Sequence, residues 1–450
     1  MSLDNHKSRI FQITLGGIVA LILLVIAITF GGDSSSLNLE TISIENIPTT
    51  SLDESGLQSL LNKAIGADYV LLGESSHGTH EYYYWRKIIT QELVQHHGYS
   101  YVVVEGDWAS LCRVNQYVKH LSNEFDSGKE ILATFNRWPQ WMWANEEFLE
   151  LVEWLRDYNQ DRSLESRIGV YGKDVYGIEE SAEALITFLD NANSNYLMQT
   201  KDAYNCLLAY NGDYEEYLHD VFYQGLSCHE NIKRVVEYLA SNASTYQAKT
   251  SKKAFLNAKQ NALVVQNGEE YYRLSVTQGN DSWNSRVMHM KQTINRLGDY
   301  YQQRGKGIVW AHNTHVGDAR ATEMASSGMW NIGQLLREKY GHEKVFIVGF
   351  GTYEGEVVAG SEWGSPMQIM KMPPARTGSL EDLLSKAELD SFILFLDEPL
   401  PPALKKPLGH RAKGVVYQPN LDARQYVTTV LPERYDAFIY FDKTSALTSI

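Results

Sequence analysis

Seven short apolar runs punctuate this sequence: "YVLLGE" (69–74), "YVVVEG" (101–106), "IGVYGKD" (168–174), "GIVWAHN" (307–313), "KVFIVGFG" (344–351), "SFILFLD" (391–397) and "DAFIYFD" (436–442). Most are continuous rather than alternating, which is how strands covered on both faces read. Amphipathic helical stretches separate them. That pattern restricts the chain to an α/β fold, with a mostly parallel central sheet flanked by helices. From 178 to 305 the strand signal disappears, and stretches such as "HDVFYQGLSCHENIKRVVEYLASNASTYQAKT" predict a large all-helical insertion between the third and fourth strands. With 450 residues, 44% of them hydrophobic, the chain is long enough for one large core or two domains.

The amino-terminal segment reads differently. "FQITLGGIVALILLVIAITF" (11–30) is uncharged and of membrane-spanning length, which predicts a transmembrane helix. Lys7 and Arg9 precede it, and no basic residue follows until Lys63. The positive-inside rule then makes residues 1–10 a cytoplasmic tail. It places the remainder, 41–450, on the periplasmic or extracellular side, joined by a tether at 31–40. A cleaved signal peptide is the competing reading; the length of the apolar region favours a retained anchor. The net charge of -15 argues against nucleic acid or an anionic membrane surface as a partner. Three cysteines and no CxxC exclude a thiolate zinc site and leave room for one pair, Cys206 with Cys228, in an exported domain.

Chemistry gathers at the carboxyl ends of the predicted strands, the edge where open α/β sheets bind ligands. The first strand ends in Glu74, with His77 three residues on; the second ends in Glu105 and Asp107, the third in Lys173 and Asp174, and the fourth in His312 and His315. An acid at such a point is often only the cap of the next helix. Four coincident sites, two of them bearing histidines that no cap needs, point instead to a shared active site. Rival nucleophile machinery is missing: there is no G-x-S-x-G elbow and no H-E-x-x-H, and Cys112 reads as a buried thiol. A His/Glu cluster remains, able to activate water as a general base or to bind a metal that does so.

These residues resemble those of the erythromycin esterase family. The likeness runs from about Asp68 to Ala446, through "LLGESSHGTHEYYYWR", "VVVEGDW", "FNRWPQWMWANEEFLELVEWLRDYN", "VYGKDVYG", "IVWAHNTHVGD", "IGQLLREKYG" and "TTVLPERYDAFIYFD". The resemblance implies an ester hydrolase acting on a small-molecule ester, with macrolide lactones as the family's known substrates and antibiotic resistance as the associated role. It implies water activated directly by His77, without an acyl-enzyme, required metal or cofactor. Glu74, Arg86, Glu105, His312 and His315 fall on positions that the family uses. A carboxylate, Glu74 or Glu105, would orient the imidazole, and Arg86 would hold an acid or stabilise an oxyanion. One departure bears on the pocket: the family's R-D-x-x-M-A-x-N helix reads "SRVMHMKQTIN", keeping Arg286 and Met290 but placing Val287 and Thr293 where the acid and the amide stand.

Trp138, Trp141 and Trp143 suit either a core helix or, with Asp174 and Arg286, the wall of a cleft for a bulky amphipathic ligand. Two other functions stand beside the metal-free esterase. In one, Glu74, His77, Glu105, His312 and His315 ligate a divalent metal in a metallohydrolase. In the other, a non-catalytic envelope protein binds a polyketide or saccharide through the tryptophans.

Overall fold

A computed structural model of the chain describes residues 47–276, 280–301 and 305–450. Among them no helix is long and apolar enough to cross a membrane. The expected tail, anchor and tether at 1–40 lie outside the described residues. Contacts divide the chain into a sheet unit, comprising residues 47–104, 114–170 and 297–450, and a helical unit, comprising Glu105–Arg113 and Tyr171–Arg296.

The large sheet has nine strands: β1 (Thr49–Ser51), β2 (Tyr69–Leu72), β3 (Tyr99–Asp107), β4 (Gly169–Asp174), β5 (Lys306–Trp310), β6 (Val345–Ala359), β7 (Gln368–Met372), β8 (Ser391–Phe395) and β11 (Ala437–Thr444). Between β8 and β11 in sequence, β9 (Pro407–Arg411) and β10 (Tyr426–Val430) form a separate antiparallel pair. The order in the large sheet is β1-β8-β11-β6-β2-β5-β3-β4, with β7 attached to β6. All seven apolar runs are therefore strands, and their side chains form the core: Val70, Val102, Ile308, Val348, Ile393 and Ile439 are fully buried.

The expectation of a mostly parallel sheet is corrected, because the sheet is mixed. β11, β6, β2, β5 and β3 pair in parallel. β8 runs antiparallel to β11, β1 antiparallel to β8, and β7 antiparallel to β6. A continuous apolar run such as "SFILFLD" reports burial of both faces, and burial is the same whichever way the strand runs.

Helices cover this sheet. Helix α1 (His80–His96) follows β2 and packs on α2 (Glu146–Asn159). In the helical unit, α3 (Ile178–Asn191), α4 (Leu197–Leu208), α5 (Tyr214–Gln224), α6 (His229–Ser241), α7 (Ala243–Lys249), α8 (Lys252–Ser275) and α9 (Asp281–Tyr301) succeed one another. Their core follows helical spacing: Ile178, Ala182, Leu185 and Leu189 on α3 face Phe255, Ala258, Ala262 and Val265 on α8. A Cys206–Cys228 disulfide ties α4 to the start of α6.

Candidate active site

Register decides what meets at the sheet edge. Leu72 of β2 lies opposite Trp310 of β5, so Glu74 and His312, each two residues further on, leave the sheet side by side. The chain after β2 turns at once, and two close approaches explain its glycines. A Cβ on Gly73 would lie 2.0 Å from Asn313 Oδ1, and one on Gly78 would lie 2.0 Å from the Val358 carbonyl oxygen. Gly78 is also held by its own carbonyl, which accepts from the amides of Val358 and Leu447 at 3.0 and 3.1 Å.

This turn presents His77 beside Glu74. His77 Nδ1 lies 2.9 Å from Glu74 Oε1, while the other carboxylate oxygen accepts from Arg86 Nη2 at 2.8 Å. Glu74 is 1% exposed and His77 7% exposed. Arg86 reaches the carboxylate from one turn inside α1, sandwiched against the rings of Tyr83 and Trp310 at 4.2 and 4.7 Å. It is completely buried. Arg86 thus holds the Glu74 carboxylate and is itself buried.

With Nδ1 donating to an ionised Glu74, the Nε2 lone pair of His77 is the basic one. The His312 ring sits 4.9 Å from the His77 ring, centre to centre. His312 caps the four-residue helix α10 (Asn313–Val316) through its ring, whose Nδ1 accepts from the Thr314 amide at 3.2 Å. That contact puts the ring hydrogen of neutral His312 on Nε2. His315 is buried at the other end of the same turn.

Glu105, Asp174 and Arg286 form a second group, within the helical unit. Arg286 grips Asp174 with two bonds, Nε to Oδ1 at 2.8 Å and Nη2 to Oδ2 at 2.6 Å, and reaches Glu105 Oε1 at 3.0 Å. Its guanidinium lies over the Tyr176 ring at 5.0 Å. Burial opposes its charge, but Asp174, Tyr176 and Glu105 outweigh burial and hold it firmly protonated.

The tryptophans separate. Trp141 and Trp143 are 1% and 6% exposed; Trp143 packs edge-on against Phe148 and at a tilt against Tyr83, as core residues do. Trp138 alone is half-buried, 4.6 Å from the exposed Trp363 and donating through Nε1 to the Ser365 carbonyl at 2.8 Å. Of the two readings of the tryptophans, burial of Trp141 and Trp143 agrees with the core, while Trp138 keeps part of its ring accessible. Among the described residues no group of three His, Cys, Asp or Glu is arranged to hold a metal ion.

A sequence model of the erythromycin esterase family matches residues 94–444. The chain belongs to the erythromycin esterase family. Three solved structures share the fold of this erythromycin esterase family chain. A protein from Bacillus cereus aligns at 23% identity and a TM-score of 0.73, over 90% of this chain and 94% of its own. A succinoglycan biosynthesis protein aligns at 21% and 0.71, over 90% and 95%. A variant of the erythromycin esterase EreC in its open conformation aligns at 17% and 0.65, over 88% and 96%. Membership makes the chain one of a hydrolase family; the structural likenesses, at these identities, establish the fold.

Four further residues complete the surroundings: Asn313 and Arg434, which lie within "IVWAHNTHVGD" and "TTVLPERYDAFIYFD", and His410 and Glu381, which no motif marks. All four are fully buried.

Proposed function

We propose that this chain hydrolyses a carboxylic ester by letting His77 activate a water molecule. The observation that carries the reading is the fixed Arg86–Glu74–His77 series, in which one carboxylate is shared between a guanidinium and an imidazole. His77 Nε2 takes a proton from water as the hydroxide attacks the ester carbonyl carbon. Glu74 stabilises the imidazolium so formed. When the tetrahedral intermediate collapses, the carbon–oxygen bond to the alcohol breaks and the proton passes from His77 to the departing oxygen. An acid and an alcohol result, with no bond to the protein. His312, bearing its hydrogen on Nε2, is the donor assigned to the carbonyl oxygen.

A metal at the same residues is disfavoured by the company Glu74 keeps. Both its oxygens are engaged, one of them by a permanent cation that a metal would have to displace. The substrate class proposed is a bulky, uncharged ester such as a macrolactone. Support comes from the family and from the Trp138–Trp363 pair, two tilted indoles that leave apolar surface exposed. The test is hydrolysis of erythromycin and of simple aryl esters by the purified chain and by His77→Ala. The expected loss is roughly 10²–10⁴-fold in kcat with KM little changed. Near-full hydrolysis by His77→Ala would move the base elsewhere.

A further inference from the structure

We infer that Asn313, backed by the His410–Glu381 pair, is a positioning residue that locks the Glu74–His77 turn to the His312–His315 turn. The inference rests on the reading that these two turns form the catalytic site. It adds three residues that are fully buried.

Asn313 uses every polar atom it has. Its amide N–H donates to the Glu74 carbonyl at 2.8 Å, which joins the chain after β5 to the chain after β2. Its own carbonyl accepts from Gly317 N at 3.0 Å and from Arg434 Nη2 at 2.9 Å. Its side-chain Nδ2 donates to the Phe350 carbonyl at 2.7 Å and to His410 Nε2 at 3.1 Å, while Oδ1 accepts from Phe350 N at 3.4 Å. One residue therefore ties the ends of β2 and β5 to β6 at the edge where Glu74 and His312 emerge, through its backbone amide to Glu74 and its side chain to Phe350 and His410. Gly73 has no side chain where Asn313 Oδ1 presses on it.

An asparagine amide can be turned end for end, and this one is held the right way round by its neighbour. His410 Nε2 can accept from Asn313 only if the ring hydrogen is on Nδ1. Glu381 ensures that: its Oε1 lies 2.6 Å from His410 Nδ1 and also accepts the Arg411 amide at 2.9 Å. Burial keeps His410 neutral by lowering its affinity for a proton. A protonated ring would set N–H against N–H at Asn313. The same stretch of chain supports the first turn directly, since the Lys413 amide donates to the Ser75 carbonyl at 2.8 Å. The order of control is thus Glu381 to the tautomer of His410, the tautomer to the amide of Asn313, and the amide to the two turns.

Hydrogen exchange read by mass spectrometry tests this on the whole chain without needing the substrate. Asn313→Asp keeps the shape but replaces the donor by an acceptor; His410→Phe keeps a ring but removes both nitrogens. In each, exchange over residues 73–80 and 311–317 should quicken by about tenfold, the equivalent of one lost buried hydrogen bond, with β8 unchanged. Glu381→Gln keeps the accepting oxygen and should stay close to the parent. With erythromycin or p-nitrophenyl acetate as probe, Asn313→Asp and His410→Phe should lower kcat by up to roughly 10²-fold with KM held within about twofold. Parent-like exchange in the two turns, or exchange raised equally across the whole sheet, overturns the inference. If His77→Ala still hydrolyses both probes, the catalytic reading fails while the exchange result stands or falls separately.

Discussion

Arg86 brings a full positive charge to a position with no exposure, and Glu74 supplies the compensating charge at 2.8 Å. Stacking on Tyr83 and Trp310 replaces part of the hydration that the guanidinium gave up. Removing one partner of such a pair strands the other in a dry interior, at a cost of about 3–5 kcal/mol, whereas removing both is far milder. Arg86→Met should therefore destabilise the chain by about that amount, and Glu74→Gln added to it should restore most of the loss. Urea denaturation of the parent, both single variants and the double variant measures this; simple addition of the two single losses would contradict it. The acid, histidine and arginine of this group were legible in the sequence because they cluster directly behind an apolar strand. His410 and Glu381 were not, and Asn313 stood in "AHNTH" with no sign of what it would join. Their importance comes from which strands neighbour one another, and β6 lies next to β2 in space but more than two hundred residues away in sequence.

Elements were legible in proportion to their burial. The seven apolar runs all form strands. β7 did not stand out, since its Ile369 is 67% exposed and its hydrophobic content does not separate it from a loop. β6 continues past the apolar run to Ala359 through "TYEGEVVA", where charges interrupt the pattern. In the helical unit, α8 and α9 hold His289 completely buried between Gln260 and Asn267. Burial first, and then the nearby Arg296 charge, push its pKa down to about 3. The unfolded chain therefore takes up a proton there that the folded chain refuses. This contribution to stability is complete above the ordinary histidine value of about 6.5 and is lost as pH falls from there toward 3. His289→Gln should flatten the acid side of the stability profile, by at most about 1.4 kcal/mol per pH unit. Thermal or urea unfolding of both proteins between pH 7 and pH 4 measures it, and parallel profiles would show that another group dominates.

At the scale of the molecule, β11 is the last strand in sequence and an interior one in space, lying between β8 and β6. The residues after it close on the edge where Glu74 and His77 emerge: the Leu447 amide donates to the Gly78 carbonyl, the Ser445 amide to Glu81, and the Ile450 amide to the Ala144 carbonyl. A ribosome making this chain has thus already released β6 and β8, each with an unpaired edge, before the strand that separates them exists. Open edges of that kind are templates for pairing with other chains. A chain halted after residue 430 should therefore collect in the insoluble fraction or on chaperones, although it retains Glu74, His77, Arg86 and His312; a soluble, cooperatively unfolding product would contradict this. The sheet edge that carries Glu74 and His77 can close only once β11 has been made, so a message interrupted before that strand is a source of sticky chains.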